Sequence, residues 1–278
     1  MWWIIAIISS VCTVGQSAVT KAAPTKDKSD LSLRFNALKI GAAFVFFLLL
    51  SIYKINFHLP TVLFAAAYGT ALFFSTVFGF FALKNGSMAL TSLIVSYSVI
   101  IPCFFGIVFL HEPASFNRLV GLVLLVLSMF LLKKRSDGVS INKKWLFCVT
   151  VTFLCNGICS VIQKTHQTLY PSLYCNEFML FSLMVSFVIF LALSFAKKSK
   201  KSPGTAKYAV VSGVLLGLGN YLTLVLLSGV DASVLFPVIS AASMFLNVII
   251  SRLCFKDRLN IIQIAGIILG VFSVLLIK

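Results

Sequence analysis

The chain has 278 residues, of which 60% are hydrophobic and only 11% charged, with a formal net charge of +16. A water-soluble domain carries about a quarter of its residues as charged groups, so there are too few here to coat a surface facing water. The surplus Lys and Arg sit in short loops between apolar blocks, which excludes a nucleic-acid-binding face and marks a membrane topology signal instead.

Blocks such as 42–51, 61–83 and 119–132 are almost wholly apolar. A helix needs about 20 such residues to cross the hydrocarbon core, where the backbone must satisfy its own hydrogen bonds. The alternating pattern of a membrane β-barrel is absent. Ten helical spans are predicted in chain order: 2–20, 36–53, 60–83, 88–110, 116–133, 145–164, 173–196, 206–228, 232–255 and 260–277. Turn-forming residues separate them, among them Ala23-Pro24, Lys84-Asn85-Gly86, His111-Glu112-Pro113, Tyr170-Pro171 and Ser202-Pro203-Gly204. Residues 1–18 have the hydropathy of a signal peptide but lack its cationic start, so they are expected to be a mature helix.

Seven cysteines lie mostly within apolar segments and form no C-x-x-C pair. They are read as small buried apolar residues, and no metal or cofactor is expected. His58, His111 and His166 are read as solvated loop histidines.

Ten spans alternate sides, and the loop cations then divide 19 to 4. The poor side holds Lys54, Arg118, Lys164 and Lys278, and Lys39 is counted on the rich side. The positive-inside rule makes the rich side cytoplasmic and both termini extracytoplasmic, in a bacterial-type plasma (inner) membrane.

The chain also repeats itself. Glu112, Gly121, Ser128 and Lys133 recur 145 residues later as Asp257, Gly266, Ser273 and Lys278. Cys12, Ser17 and Lys21 recur 143 residues later as Cys155, Ser160 and Lys164. The expected fold is therefore all-α and polytopic, with ten transmembrane helices in two five-helix repeats, 1–135 and 141–278. Five spans per half is an odd number, so the second repeat must be inverted, as in many secondary transporters.

The segments Asp231-Ala-Ser-Val-Leu-Phe-Pro237, Phe255-Lys-Asp257 and Gln263-x-x-Gly266-x-x-Leu269-Gly270 carry a family pattern, repeated more weakly at Met88-Ala89-Leu90, Pro102, Leu110-His-Glu112-Pro113 and Gly121. Together with the five-plus-five repeat, this resembles the drug/metabolite transporter superfamily, EamA type. The resemblance implies a solute carrier. Its ten-span members usually keep their termini in the cytoplasm, opposite to the charge count here.

Polar residues inside spans face the bundle interior or a cavity. Gln16 and Ser17, with Thr13 and Thr20, share one face of the first span. Tyr68 and Ser75 lie on the third, Ser92, Ser96 and Tyr97 on the fourth, Asn156, Ser160, Gln163 and Lys164 on the sixth. Asn220 and Tyr221 lie on the eighth, Ser240, Ser243 and Asn247 on the ninth. Gln16, Ser17, Tyr68, Ser96, Tyr97, Asn156, Ser160, Gln163, Asn220, Tyr221, Ser240 and Asn247 are the candidate substrate-binding residues. Any single serine is read as interhelical glue; the amides are read as pocket, because a buried amide without a partner is costly. Pro102, Pro237, Glu112, Asp257 and Lys164 are hinge or gate candidates. For the two prolines a static bend competes with a hinge, and for the two acids a favourable helix-dipole contact is the preferred reading.

No carboxylate lies in mid-span, and Gln16 stands where small multidrug resistance relatives carry an acid. A neutral, zwitterionic or anionic solute is expected rather than a bare cation. An enzyme would need clustered acids, histidines or a nucleophile–base pair at membrane depth, and none is found. The expected function is a secondary transporter or exporter of small metabolites or drug-like solutes by alternating access. The alternative is a non-transporting membrane scaffold or lipid-binding subunit. The expected partners are a small-molecule substrate and the lipid bilayer, with no nucleic acid, for a monomer or homodimer.

Overall fold

In a computed structural model the chain is described at residues 2–23, 30–51, 55–109, 116–117, 120–121, 123–124, 127–128, 142–170, 173–196, 203–227, 232–255 and 261–276. Its elements are α1 (Trp2–Ala22), α2 (Asp30–Ser51), α3 (Leu59–Asn85), α4 (Met88–Ser96), a 3-10 turn (Tyr97–Val99), α5 (Ile100–Phe109), α6 (Lys143–Leu169), α7 (Cys175–Ala196), α8 (Pro203–Leu227), α9 (Ala232–Phe255) and α10 (Ile261–Leu276). No strand occurs among the described residues. Six helices, α1 to α3 and α6 to α8, are long and apolar enough to cross a bilayer, and shorter apolar helices lie at Leu90–Gly106, Phe245–Cys254 and Ile264–Ser273. The span expected at 116–133 falls largely outside the described residues, so the structure establishes an all-helical membrane fold but not the count of ten.

Two boundaries differ from expectation. α2 begins at Asp30, six residues before the predicted start, with an acidic residue at the end of a helix where its dipole favours one. α6 runs on through His166 to Leu169, because nothing disfavours helix until Tyr170, which precedes a proline.

Polarity is turned inside out relative to a soluble protein. Ile4, Leu63, Phe147, Val188 and Phe195 are exposed, the last at 75%, while Ser9, Thr20, Asn36, Ser182, Ser186 and Ser212 are buried. Apolar residues gain nothing from leaving hydrocarbon, so in a bilayer the interior is where polar side chains gather.

The packing shows how the halves are related. α3 runs antiparallel to α6, since Thr61 bonds His166 and Ser75 bonds Asn156. α1 runs antiparallel to α8, since Ser9 bonds Thr223 and Thr20 bonds Ser212. The Lys84 ammonium at the end of α3 donates to the carbonyls of Lys21 and Ala23, at 2.8 and 2.6 Å. It caps the C-terminus of α1, so α1 and α3 end on the same side. α6, the counterpart of α1, and α8, the counterpart of α3, therefore both point the other way, and the second repeat is inverted.

Two glycines mark matching crossings. A Cβ on Gly213 of α8 would strike the Lys39 carbonyl and the Ala42 side chain of α2. A Cβ on Gly69 of α3 would strike the Ser182 carbonyl and the Val185 side chain of α7. Lys39 and Ala42 lie 143 residues before Ser182 and Val185, and Gly69 lies 144 before Gly213. Only glycine lets main chain approach main chain this closely. An apolar core built on Phe47, Phe73, Phe178, Leu183 and Phe190 fills the space between α2, α3 and α7.

Candidate functional site

A cavity of about 290 Å³ lies between α1, α2, α3, α4, α6, α8 and α9, near the lower end of the range for small-molecule sites. It runs from Tyr68, Asn156 and Asn220 at mid-bundle to Thr20 and Leu83, each two residues from the last residue of α1 or α3. Most of its lining residues carry polar side chains, because spans one, three, four, six, eight and nine turn their polar faces toward one another.

The hydroxyls and amides play different parts. Thr13, Ser17, Thr20, Thr76, Ser96 and Thr152 each donate to the carbonyl four residues back on their own helix. Their protons are thus used and their lone pairs remain as acceptors. Ser75 Oγ donates to Asn156 Oδ1 at 2.9 Å, tying α3 to α6 at the cavity wall. By contrast, Gln16 Oε1, both amide atoms of Asn36, Ser243 Oγ and Asn247 Oδ1 are buried with no hydrogen-bond partner among the described residues. Leaving such a group unsatisfied costs about 1–3 kcal/mol, and all four residues line the cavity.

Of the residues singled out in the sequence, Gln16, Ser17, Tyr68, Ser96, Asn156, Asn220 and Asn247 come together on this wall. Ser160, Gln163, Tyr221 and Ser240 are not among its lining residues. Ser160 bonds back to Asn156 O, and Tyr221 meets the ring of Phe46 edge-on. Tyr97 is fully buried, accepts from Ser128 Oγ at 2.8 Å and packs on Gly270. Lys164 lies within α6 rather than at its end.

Pro102 is buried in α5. Having no N–H to offer the Ser98 carbonyl, it explains the 3-10 turn just before it. There the Ile100 N–H bonds Tyr97 O, three residues back. Pro237 belongs to α9, but its side chain, like all of Glu112 and Asp257, lies outside the described residues.

Sequence reasoning missed Asn36, Lys39, Thr76, Thr91 and Thr152 on the wall. Lys39 was counted with loop cations, whereas it sits inside the apolar span Leu33–Ser51, within about a turn of its middle. It is the one charged side chain among the lining residues. The signal available was the pair Asn36 and Lys39, spaced i, i+3 on one face of the helix.

The histidines also need correction. His166 is fully buried in α6, its Nε2 3.2 Å from Thr61 Oγ1 and its ring stacked on Phe178 with centroids 4.6 Å apart. His58 lies just before α3, 3.0 Å from the same Thr61 hydroxyl, and stacks on Tyr174. His111 lies outside the described residues. Among the described residues no three His, Cys, Asp or Glu side chains are grouped to hold a metal ion. Of the cysteines, Cys12 and Cys159 are buried, but Cys254 is exposed, contrary to expectation.

No curated protein matches the sequence. Solved structures do, with 28 matching chains. One, described only as "Crystal structure of protein", is 14% identical and superimposes with a TM-score of 0.69, over 99% of this chain and 94% of its own. That likeness establishes the fold alone. Residues 1–133 and 143–278 both match the EamA-like transporter family. With both halves matched, joined in an inverted packing around a polar cavity, the chain belongs to the EamA-like transporter family, a multi-pass membrane transporter of the drug/metabolite transporter type.

Proposed function

We propose that the chain is a secondary transporter that exports small metabolites or drug-like solutes across a bacterial-type inner membrane by alternating access. The observation that carries this reading is the cavity lined by Gln16, Asn36, Asn156, Asn220 and Asn247 at the junction of the two repeats. Inverted-repeat carriers bind solute near the midplane at that junction. Three of these amides keep buried atoms without protein partners, and a solute supplies what they lack. The repeats 1–135 and 141–278 are the units that rock about it. The cavity extends to Thr20 and Leu83, so it is reached from the end that holds the C-termini of α1 and α3.

The test is reconstitution. Purified protein in liposomes is expected to move members of a labelled panel of amino acids, nucleosides and hydrophobic drugs. Asn220→Ala is expected to lower that flux by about tenfold while leaving the melting temperature and elution profile unchanged. Absence of flux for every solute, with folded protein in the bilayer, would favour a scaffold. The charge bias supports extracytoplasmic termini; a C-terminal phosphatase fusion is then active, and a fluorescent but phosphatase-inactive pair of fusions reverses the topology.

A further inference from the structure

Among the described residues nothing compensates the positive charge on the cavity wall. Lys39 is its one charged lining residue, and no carboxylate is among the residues around it. It has no ion-pair or hydrogen-bond partner among the described residues. Lys39 stands nine residues into α2, about 14 Å along the axis at 1.5 Å per residue. That exceeds the reach of a four-carbon stem, so the ammonium cannot snorkel to the loop. It is held inside the apolar span Leu33–Ser51, where an unpaired cation is costly.

Packing does not require this charge. The same close crossing is made in the other repeat with Ser182 in place of Lys39, and Met179 in place of Asn36, each 143 residues on. Asn36, one turn before Lys39 on the same face, is wholly buried with neither amide atom bonded. A donor amide beside a free ammonium is an anion-binding pair in search of its anion.

We propose that Lys39 and Asn36 anchor the anionic group of a small organic anion, a carboxylate or a phosphate ester, with the ammonium as counter-charge and Asn36 Nδ2 as second donor. The remainder of the solute meets the acceptor-rich wall at Gln16 and Asn247. This reading names the substrate class of the cavity and rests on the transporter assignment for its flux, but not for its binding.

Matched pairs test it: N-acetylphenylalanine against its neutral amide, and glucose 6-phosphate against glucose. Each is measured by thermal stabilisation of the purified protein in neutral detergent and by flux in proteoliposomes. At least one anion is expected to bind about tenfold or more tightly than its neutral partner, and which pair responds distinguishes carboxylate from phosphate. Lys39→Met and Asn36→Asp are expected to erase that preference, and Lys39→Arg to retain it. Equal binding within every pair, no binding in any pair, or a preference that survives in Lys39→Met overturns the proposal. If Lys39→Met does not fold, the wild-type pairs and Asn36→Asp decide. An anion that binds but is not moved leaves the site standing and overturns the carrier. Neutral flux without anion preference does the reverse.

Discussion

α2 and α7 hold equivalent places in the two repeats but meet different surroundings. In α2 the Lys39 carbonyl lies against Gly213 of α8, and the Lys39 and Asn36 side chains turn to the cavity. In α7 the Ser182 carbonyl lies against Gly69 of α3 in the same way, but Ser182 Oγ donates to its own helix at Phe178 O, 2.6 Å away. Met179, opposite Asn36 in the comparison, is packed in the apolar core. The backbone crossing is thus shared, while of these two helices only α2 lines the cavity. A duplicated fold needs both crossings to stand, but the paired helices need not both face the solute.

Four experiments bear on that contrast. The largest loss is expected from Gly69→Val and Gly213→Val, because each new side chain meets a main-chain carbonyl that cannot swing aside. Overpacking typically costs about 1–3 kcal/mol, and both variants should sit at the upper end, read as lost monodisperse yield and lowered melting temperature. If one is tolerated, the crossings are not equivalent. Next, in a cysteine-free background, Asn36→Cys should react with a water-soluble maleimide faster than Met179→Cys by about tenfold or more; equal rates would erase the distinction between wet and dry copies. A smaller difference is expected in transport. Asn36→Ala should slow flux, whereas Ser182→Ala, which loses only a bond within its own helix, should change stability by less than about 0.5 kcal/mol and flux not at all. The smallest loss that remains measurable is expected from Lys84→Ala, which uncaps α1. A cation at a helix C-terminus contributes about 0.3–1 kcal/mol, measurable as a modest fall in melting temperature with wild-type solute preference.

Much of this was legible in the sequence, and the reasons are physical. Span-length apolar blocks and turn residues set the helices, and the offset of 143 set the repeat, because hydrocarbon permits little else. The amides Gln16, Asn156, Asn220 and Asn247 could be placed on the cavity wall because helical periodicity keeps polar residues on one face. The same periodicity could not separate Asn220 from its neighbour Tyr221, whose ring packs on Phe46, nor Ser96 from Tyr97, which turns away where the helix tightens before Pro102. Lys39 and His166 were misread for one shared reason. Each lies near a predicted helix end, where a charged or titratable residue is ordinarily solvated. Only the true helix bounds, at Asp30 and Leu169, move them into the interior.

The twin glycine contacts also bear on motion. Where backbone touches backbone there is no side chain to re-pack, so α2 with α8, and α3 with α7, behave as two riveted beams. In the proposed rocking of the repeats, each rivet joins one repeat to the other and so acts as a pivot, and the remaining posts, α1, α4, α6 and α9, travel farthest. A chemical cross-link across either rivet should leave turnover intact, and one joining α4 to α9 should freeze it.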